Sequence, residues 1–207
     1  MRIHRATPAL VGVWLMALAG TSFGVGPLQT LKDQMAQITQ AQRDLAASST
    51  DANRDQLLVA VKGTFDFDRL ARESLGDDWA DASPSVRREY LEFFGSVVEQ
   101  STLRKLEIFE VGQTEYQAPV HDSSGASITT LTSSGEGDEI AVLYMLHKTP
   151  DGWRVYDMVI GTFEEIDPEF DVSTSQNYRD AFHRIVVDEG WESLLRTLRD
   201  RHAKNQE

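Results

Sequence analysis

The stretch "GWRVYDMVIG" (residues 152–161) is apolar on both of its strand faces and yet carries one aspartate, Asp157, near its middle. Alternation places Trp153, Val155, Asp157 and Val159 on one side and Arg154, Tyr156, Met158 and Ile160 on the other. The run before it, "IAVLYMLH" (140–147), behaves the same way, with Ile140, Val142, Tyr144 and Leu146 opposed to Ala141, Leu143, Met145 and His147. An antiparallel sheet with one wet face alternates more cleanly than this. Two readings remain open: a sheet covered by helices on both faces, or a sheet whose apolar surface lines a cavity where ligand replaces protein packing.

Around this pair the texture is segregated. Residues 28–47 follow a helical period through Leu28, Leu31, Met35, Ile38 and Leu45, and Ser49, Thr50 or Asp51 can cap a second helix through Leu57, Leu58 and Val61. "FDFDRLARESLG" (65–76) is a short helix capped by Asp66 and closed by Gly76. The next helix has Ser83 as N-cap, Pro84 in its first turn and Val86, Tyr90, Phe93, Phe94, Val97 and Val98 on one face. After Leu106 the period drops to two, and "SSG", "SSGEGD" and "TPDG" punctuate a strand meander. Helices return from Gln176 onward. Helices, then sheet, then helices predict an α+β fold, with helices packed on one face of a curved antiparallel sheet.

The N-terminus reads differently. Arg2 and Arg5 precede twelve uncharged residues, 9–20, and small residues follow at Ser22 and Gly24, with Ala17–Ala19 as a second possible cleavage site. This pattern is a cleaved secretory signal peptide over 1–24. Twelve residues reach only about 18 Å, short of a hydrocarbon core of about 30 Å. The expected organisation is one domain over 25–203 and a polar tail at 204–207. With 20 basic residues, 33 acidic ones and a formal charge of −13, the chain lacks the basic footprint of a nucleic-acid binder. It has no cysteine, which excludes disulfides and thiolate metal sites. The exported, cysteine-free composition fits the bacterial periplasm.

Nucleophile-elbow, metalloprotease, P-loop and dinucleotide-binding motifs are all absent. Beyond the signal segment His121, His147, His183 and His202 stand apart in sequence, and no metal or other cofactor is expected. "FEEIDPEFD" (163–171) lacks the alternating ligands and the glycine of a calcium loop and reads as a solvated acidic loop. One enzymatic alternative survives, a small cavity enzyme with Asp157 as general base and Tyr144 or Tyr156 as proton donor. Against it stands a structural Asp157, hydrogen-bonded to backbone or to an arginine such as Arg179.

Several segments together resemble the MlaC-type periplasmic phospholipid-binding proteins, the toluene-tolerance family. They are Phe65–Phe67, the Ala-x-x-x-Leu-Gly-x-x-Trp of Ala71–Trp79, the aromatic helix Pro84–Val98, the Trp-x-Val-Tyr-Asp of Trp153–Asp157, and the Asn-Tyr-Arg-x-x-Phe of Asn177–Phe182. They occur in order over about residues 28–200. The resemblance implies a nuclear-transport-factor-like fold with a deep apolar cavity, no enzymatic activity, and a phospholipid carrier of the periplasm. Its implied partners are an inner-membrane lipid ABC transporter complex and an outer-membrane lipoprotein–porin complex, and a branch of the family is associated with hopanoid-like lipids. The residues expected to touch lipid are Phe65, Leu70, Leu75, Tyr90, Phe94 and Val98 from helices and Val142, Tyr144, Leu146, Tyr156, Met158 and Ile160 from strands. Tyr178, Arg179 and Phe182 are expected near the mouth or wall, with Arg179 meeting either a phosphate or a carboxylate. The chain departs from the family in its long acidic link before Asn177 and in apolar Leu143 and Met145.

Overall fold

In a computed structural model, which describes residues 25–108, 113–133, 139–162 and 173–205, each helix begins at a residue suited to start it. The expected signal segment and the acidic link at 163–172 lie outside the described residues. The first helix, α1 (Pro27–Ala47), opens on a proline, whose missing N–H costs nothing there. It buries Leu31, Ile38, Ala41 and Leu45 at helical spacing. Thr50 is the cap of α2 (Asp51–Thr64), accepting from the Asn53 N–H. Asp66 caps α3 (Phe67–Leu75) through the Arg69 N–H at 2.9 Å. A single turn, α4 (Asp78–Asp81), leads into α5 (Pro84–Ile108), where the Ser83 hydroxyl accepts from the Val86 N–H.

The strands are β1 (Thr114–Tyr116), β2 (Val120–His121), β3 (Ala126–Ser133), β4 (Glu139–Thr149) and β5 (Gly152–Thr162), followed by α6 (Thr174–Glu189) and α7 (Trp191–Lys204). They form one antiparallel sheet in the order β1-β3-β4-β5, with β2 also pairing β3 beside β1. The architecture is therefore α+β, with seven helices among the described residues. Among those residues, no helix is long and apolar enough to cross a membrane.

The register between β4 and β5 corrects the simple alternation. Met145 pairs with Asp157, but Leu146 pairs with Val155, so Tyr156 is an extra residue at a β-bulge. Beyond it the faces of β5 exchange: Trp153 and Val155 join Tyr144, Leu146, Met158 and Ile160 on one side. Asp157 and Val159 share the other with Met145 and Leu143. The bulge lies where the α2–α3 junction meets the outer edge of β5. Phe65 bridges Val155 there in parallel, the Asp66 N–H donates to the Val155 carbonyl, and Arg154 donates to the carbonyls of Lys62 and Phe65.

Three apolar clusters hold the fold. Leu31 of α1 meets Ile128, Leu146 and Val155 of the sheet in one. A second joins α1, α2 and α5 through Ile38, Leu45, Leu57, Val61 and Leu103. The third, away from the sheet, joins α3, α5, α6 and α7 around Tyr90, Phe94 and Phe182. Its rings satisfy each other: Tyr90 stacks on Phe94 at 5.2 Å, and Phe94 takes Tyr178 edge-on at 4.9 Å and Phe182 at 5.6 Å. Arg179 ties α6 to α3, donating from Nε and Nη2 to the Glu73 carbonyl near the end of α3. It lies against Gly76, whose φ of 54° no ordinary side chain adopts easily and whose Cβ, were there one, would sit 2.9 Å from Arg179 Nε.

Within that aromatic cluster the Tyr90 hydroxyl is buried with no hydrogen-bond partner among the described residues. An unpaired buried hydroxyl costs about 1–3 kcal/mol, so Tyr90→Phe should raise stability by about 1 kcal/mol, or about 2–4 °C in Tm, read by calorimetry.

Candidate functional site: an open cavity between the first helix and the sheet

Where α1 diverges from the sheet, packing stops and a cavity of about 740 Å³ remains. One wall is the α1 stripe Met35, Ala36, Ile38 and Thr39, which follows directly from helical spacing. The facing wall is the α1-side face of the sheet: Tyr144 from β4, Met158 and Ile160 from β5, Thr130 and Thr132 from β3, and Thr114 and Tyr116 from β1. Phe65 closes one end, and Thr102 and Leu106 from the last turns of α5 close another. The cavity communicates with solvent, since Ile160 on its wall is 57% exposed. Lys32, Gln40, Arg43 and Lys105 complete the lining.

The walls are mainly apolar, and among the described residues no histidine, aspartate or glutamate lines them. The two threonines at the sheet edge, Thr114 and Thr132, bond each other through their hydroxyls at 3.1 Å, which turns their polarity inward. Burial pushes the Tyr144 phenol up to about 12, Tyr116 adds to the rise, and a hydrogen bond with Thr130 offsets part of it. Among the described residues no group of His, Cys, Asp and Glu could hold a metal ion.

The structure gathers four of the residues singled out in the sequence at this cavity: Phe65, Tyr144, Met158 and Ile160. Val142 shares their face between Thr130 and Ile160 but is outside the lining. The remaining positions lie outside this lining. Leu70, Leu75, Tyr90, Phe94, Val98 and Phe182 are closed inside the helical cluster, with Tyr178 packed against it, because their rings and methyls already meet side chains of α5, α6 and α7. Leu146 is closed between α1 and the sheet. Arg179 donates to the Glu73 carbonyl and forms no ion pair with a carboxylate among the described residues. Tyr156 is turned by the bulge to the other side, where the Arg69 guanidinium lies 3.7 Å from its ring centroid.

Asp157 faces away from the cavity as well. Its Oδ1 accepts from the N–H groups of Met158 at 2.9 Å and Ser175 at 3.1 Å, and its Oδ2 accepts from the Ser175 hydroxyl at 2.6 Å. Ser173 and Gln176 add a capping box at the same helix start, and the Thr174 hydroxyl donates to the Met158 carbonyl. The lone carboxylate of the apolar strand is thus an anchor for the first turn of α6, where orphan N–H groups and the helix dipole favour negative charge. Tyr144 stands on the opposite face of the sheet from it. Tyr156 and Asp157 do share a shallower groove of about 390 Å³ with Arg69 and Glu73, where the Asp157 oxygens already hold their three donors.

Sequence reasoning missed the α1 stripe, the α5 end and the threonines of β3. Met35 and Ile38 fit the helical period of α1 as core residues do, and Thr130 and Thr132 lie in the run "SITTLT", which reads only as a strand. Neither pattern says which apolar stripe lacks a partner.

A family model described as MlaC protein matches residues 29–200. Among solved structures, a phospholipid-binding protein from Ralstonia solanacearum, determined in complex with a phospholipid, superposes with a TM-score of 0.70 at 19% sequence identity. The superposition covers 88% of this chain and all of that one, which shows that the fold is shared. No curated protein sequence matches the chain.

Asp157→Asn should lower stability by about 2 kcal/mol in urea titrations, because the charge-assisted bonds to Ser175 weaken. Ser175→Ala should cost less in that background than in the unmodified protein, as a double-mutant cycle would measure. The raised phenol of Tyr144 contributes stability that is whole below pH 10 and lost as pH rises through about 12. Tyr144→Phe should therefore flatten the fall in unfolding free energy across that window.

Proposed function

This chain belongs to the MlaC family, and from that premise we propose that it is a carrier that sequesters the acyl chains of a phospholipid in the cavity between α1 and the sheet. The observation that carries the reading is the cavity itself: an open volume of about 740 Å³, within the size range of ligand sites, walled by Met35, Ile38, Phe65, Tyr144, Met158 and Ile160. The bound phospholipid of the Ralstonia protein, on the same fold, supports it. A chain of about sixteen carbons costs on the order of 12 kcal/mol to hold in water, so a carrier has to cover its tails and can leave the headgroup wet.

In this reading Phe65, Tyr144, Met158 and Ile160 touch the tails, while Leu70, Leu75, Tyr90, Phe94, Val98, Leu146, Tyr178 and Phe182 build the frame. Tyr156 and Arg179 are part of that frame too, and Val142 backs the wall. The protein binds and hands over its ligand rather than transforming it. It works in the periplasm after removal of residues 1–24, between an inner-membrane lipid ABC transporter complex and an outer-membrane lipoprotein–porin complex. Family membership and the reading of the N-terminal sequence support this placement. Handing over needs a partner that opens the cavity, because release of bare tails into water is so far uphill.

The test is native mass spectrometry of protein purified without detergent from a bacterial periplasm, followed by organic extraction. The expected result is co-purified phospholipid near one per protein. An empty protein that also takes nothing from liposomes would overturn the proposal. Ala36→Trp, which projects an indole from the exposed side of α1 into the cavity, should cut lipid uptake at least five-fold. Val59→Trp, on the exposed side of α2, should leave it unchanged.

A further inference from the structure

Although the sequence carries 33 acidic residues against 20 basic ones, no carboxylate lines the cavity among the described residues, whereas three cations do. Lys32 and Arg43 come from α1 and Lys105 from the last turns of α5. Each is exposed at its head and lends its stem to the lining, as long cationic side chains do at the border of apolar surface. Neither Arg43 nor Lys105 has a hydrogen bond or ion pair with another described residue. Among the described residues the Lys32 ammonium has only the ring of Tyr116, 5.4 Å from its centroid.

The acids next to them in α1, Asp33 and Asp44, lie outside the lining and accept from glutamines. Gln29 donates to the Asp33 carboxylate at 2.7 Å, and Gln40 donates to that of Asp44 at 2.9 Å. Among the described residues, the charged side chains that line the cavity are therefore all positive, on a protein of net negative charge. A phosphate near these cations with no ammonium of its own is attracted to them. A zwitterionic headgroup brings a competing positive charge to the same place.

Resting on the carrier reading above, we propose that Lys32, Arg43 and Lys105 form a headgroup-selecting rim that favours lipids with a net anionic phosphate headgroup over zwitterionic ones with the same tails. The selectivity is electrostatic and so weakens as salt rises. It also runs against the overall charge of the protein, which repels anionic lipid. A preference for such lipid therefore has to come from a local feature.

The experiment loads detergent-free, delipidated protein from vesicles containing equal parts phosphatidylglycerol and phosphatidylethanolamine with identical acyl chains, and extracts the bound lipid. Both lipids leave one shared surface, so attraction of the protein to that surface cancels from the ratio. The expected result is enrichment of phosphatidylglycerol by about five-fold at low salt, the effect of a single favourably placed cation. The ratio should fall to that of the vesicle in Lys32→Gln/Arg43→Gln/Lys105→Gln. If the triple variant does not fold, Arg43→Gln and Lys105→Gln alone should each lower it measurably. Uptake at the vesicle ratio by the unmodified protein, or enrichment that survives these substitutions, would overturn the proposal. So would loss of the enrichment on adding millimolar inorganic phosphate at constant ionic strength, which would make the rim a site for the free anion. Failure to take up either lipid overturns the carrier reading and this inference with it.

Discussion

At the β-bulge between Met145 and Leu146, β5 gains one residue over β4, and every side chain beyond it changes face. Without that extra residue, alternation would send Trp153 and Val155 to the side of Asp157, and the α1 contact through Leu31 would lose its partner on the outer strand. With it, β5 meets both requirements placed on it. Its early part packs under α1 and its late part supplies Met158 and Ile160 to the cavity wall. The edge contact of Phe65 and Asp66 with Val155 sits at the same point, so the junction of α2 and α3 is placed by the irregularity too. Bulges bend and twist the strand that carries them.

The cavity stays open because the fold does not depend on it. The aromatic cluster of α3, α5, α6 and α7 and the α1–α2–α5 cluster bury their apolar surface without touching the sheet wall around Ile160. Asp157 and Arg179 fasten α6 at two points, to β5 and to α3, and both attachments use backbone groups that would otherwise be orphaned at helix ends. A frame of this kind can tolerate unfilled apolar surface in one place. Ligand bound there would then add to stability in proportion to its affinity and concentration.

The charge distribution follows the same division. Among the described residues the lining of the cavity carries cations but no carboxylate, together with threonines, of which Thr114 and Thr132 bond each other.

The sequence by itself determined the elements and their ends. Thr50, Asp66, Ser83 and Gly76 mark boundaries through local hydrogen bonds and backbone conformation, which neighbours in the chain are enough to specify. It also showed Asp157 as a carboxylate in need of partners, and the ordered motifs from Phe65 to Phe182 placed the chain in its family. Only the tertiary structure decided which apolar residues line the cavity. Periodicity tells that Phe94 and Met158 both point inward, but whether an inward side chain meets another side chain or empty space depends on elements distant in sequence. The bulge had the same status, since a single added residue in β5 shows only against its pairing with β4. Phe94 and Tyr178 closed on each other, and Met158 was left facing Met35 and Ile38 across a gap.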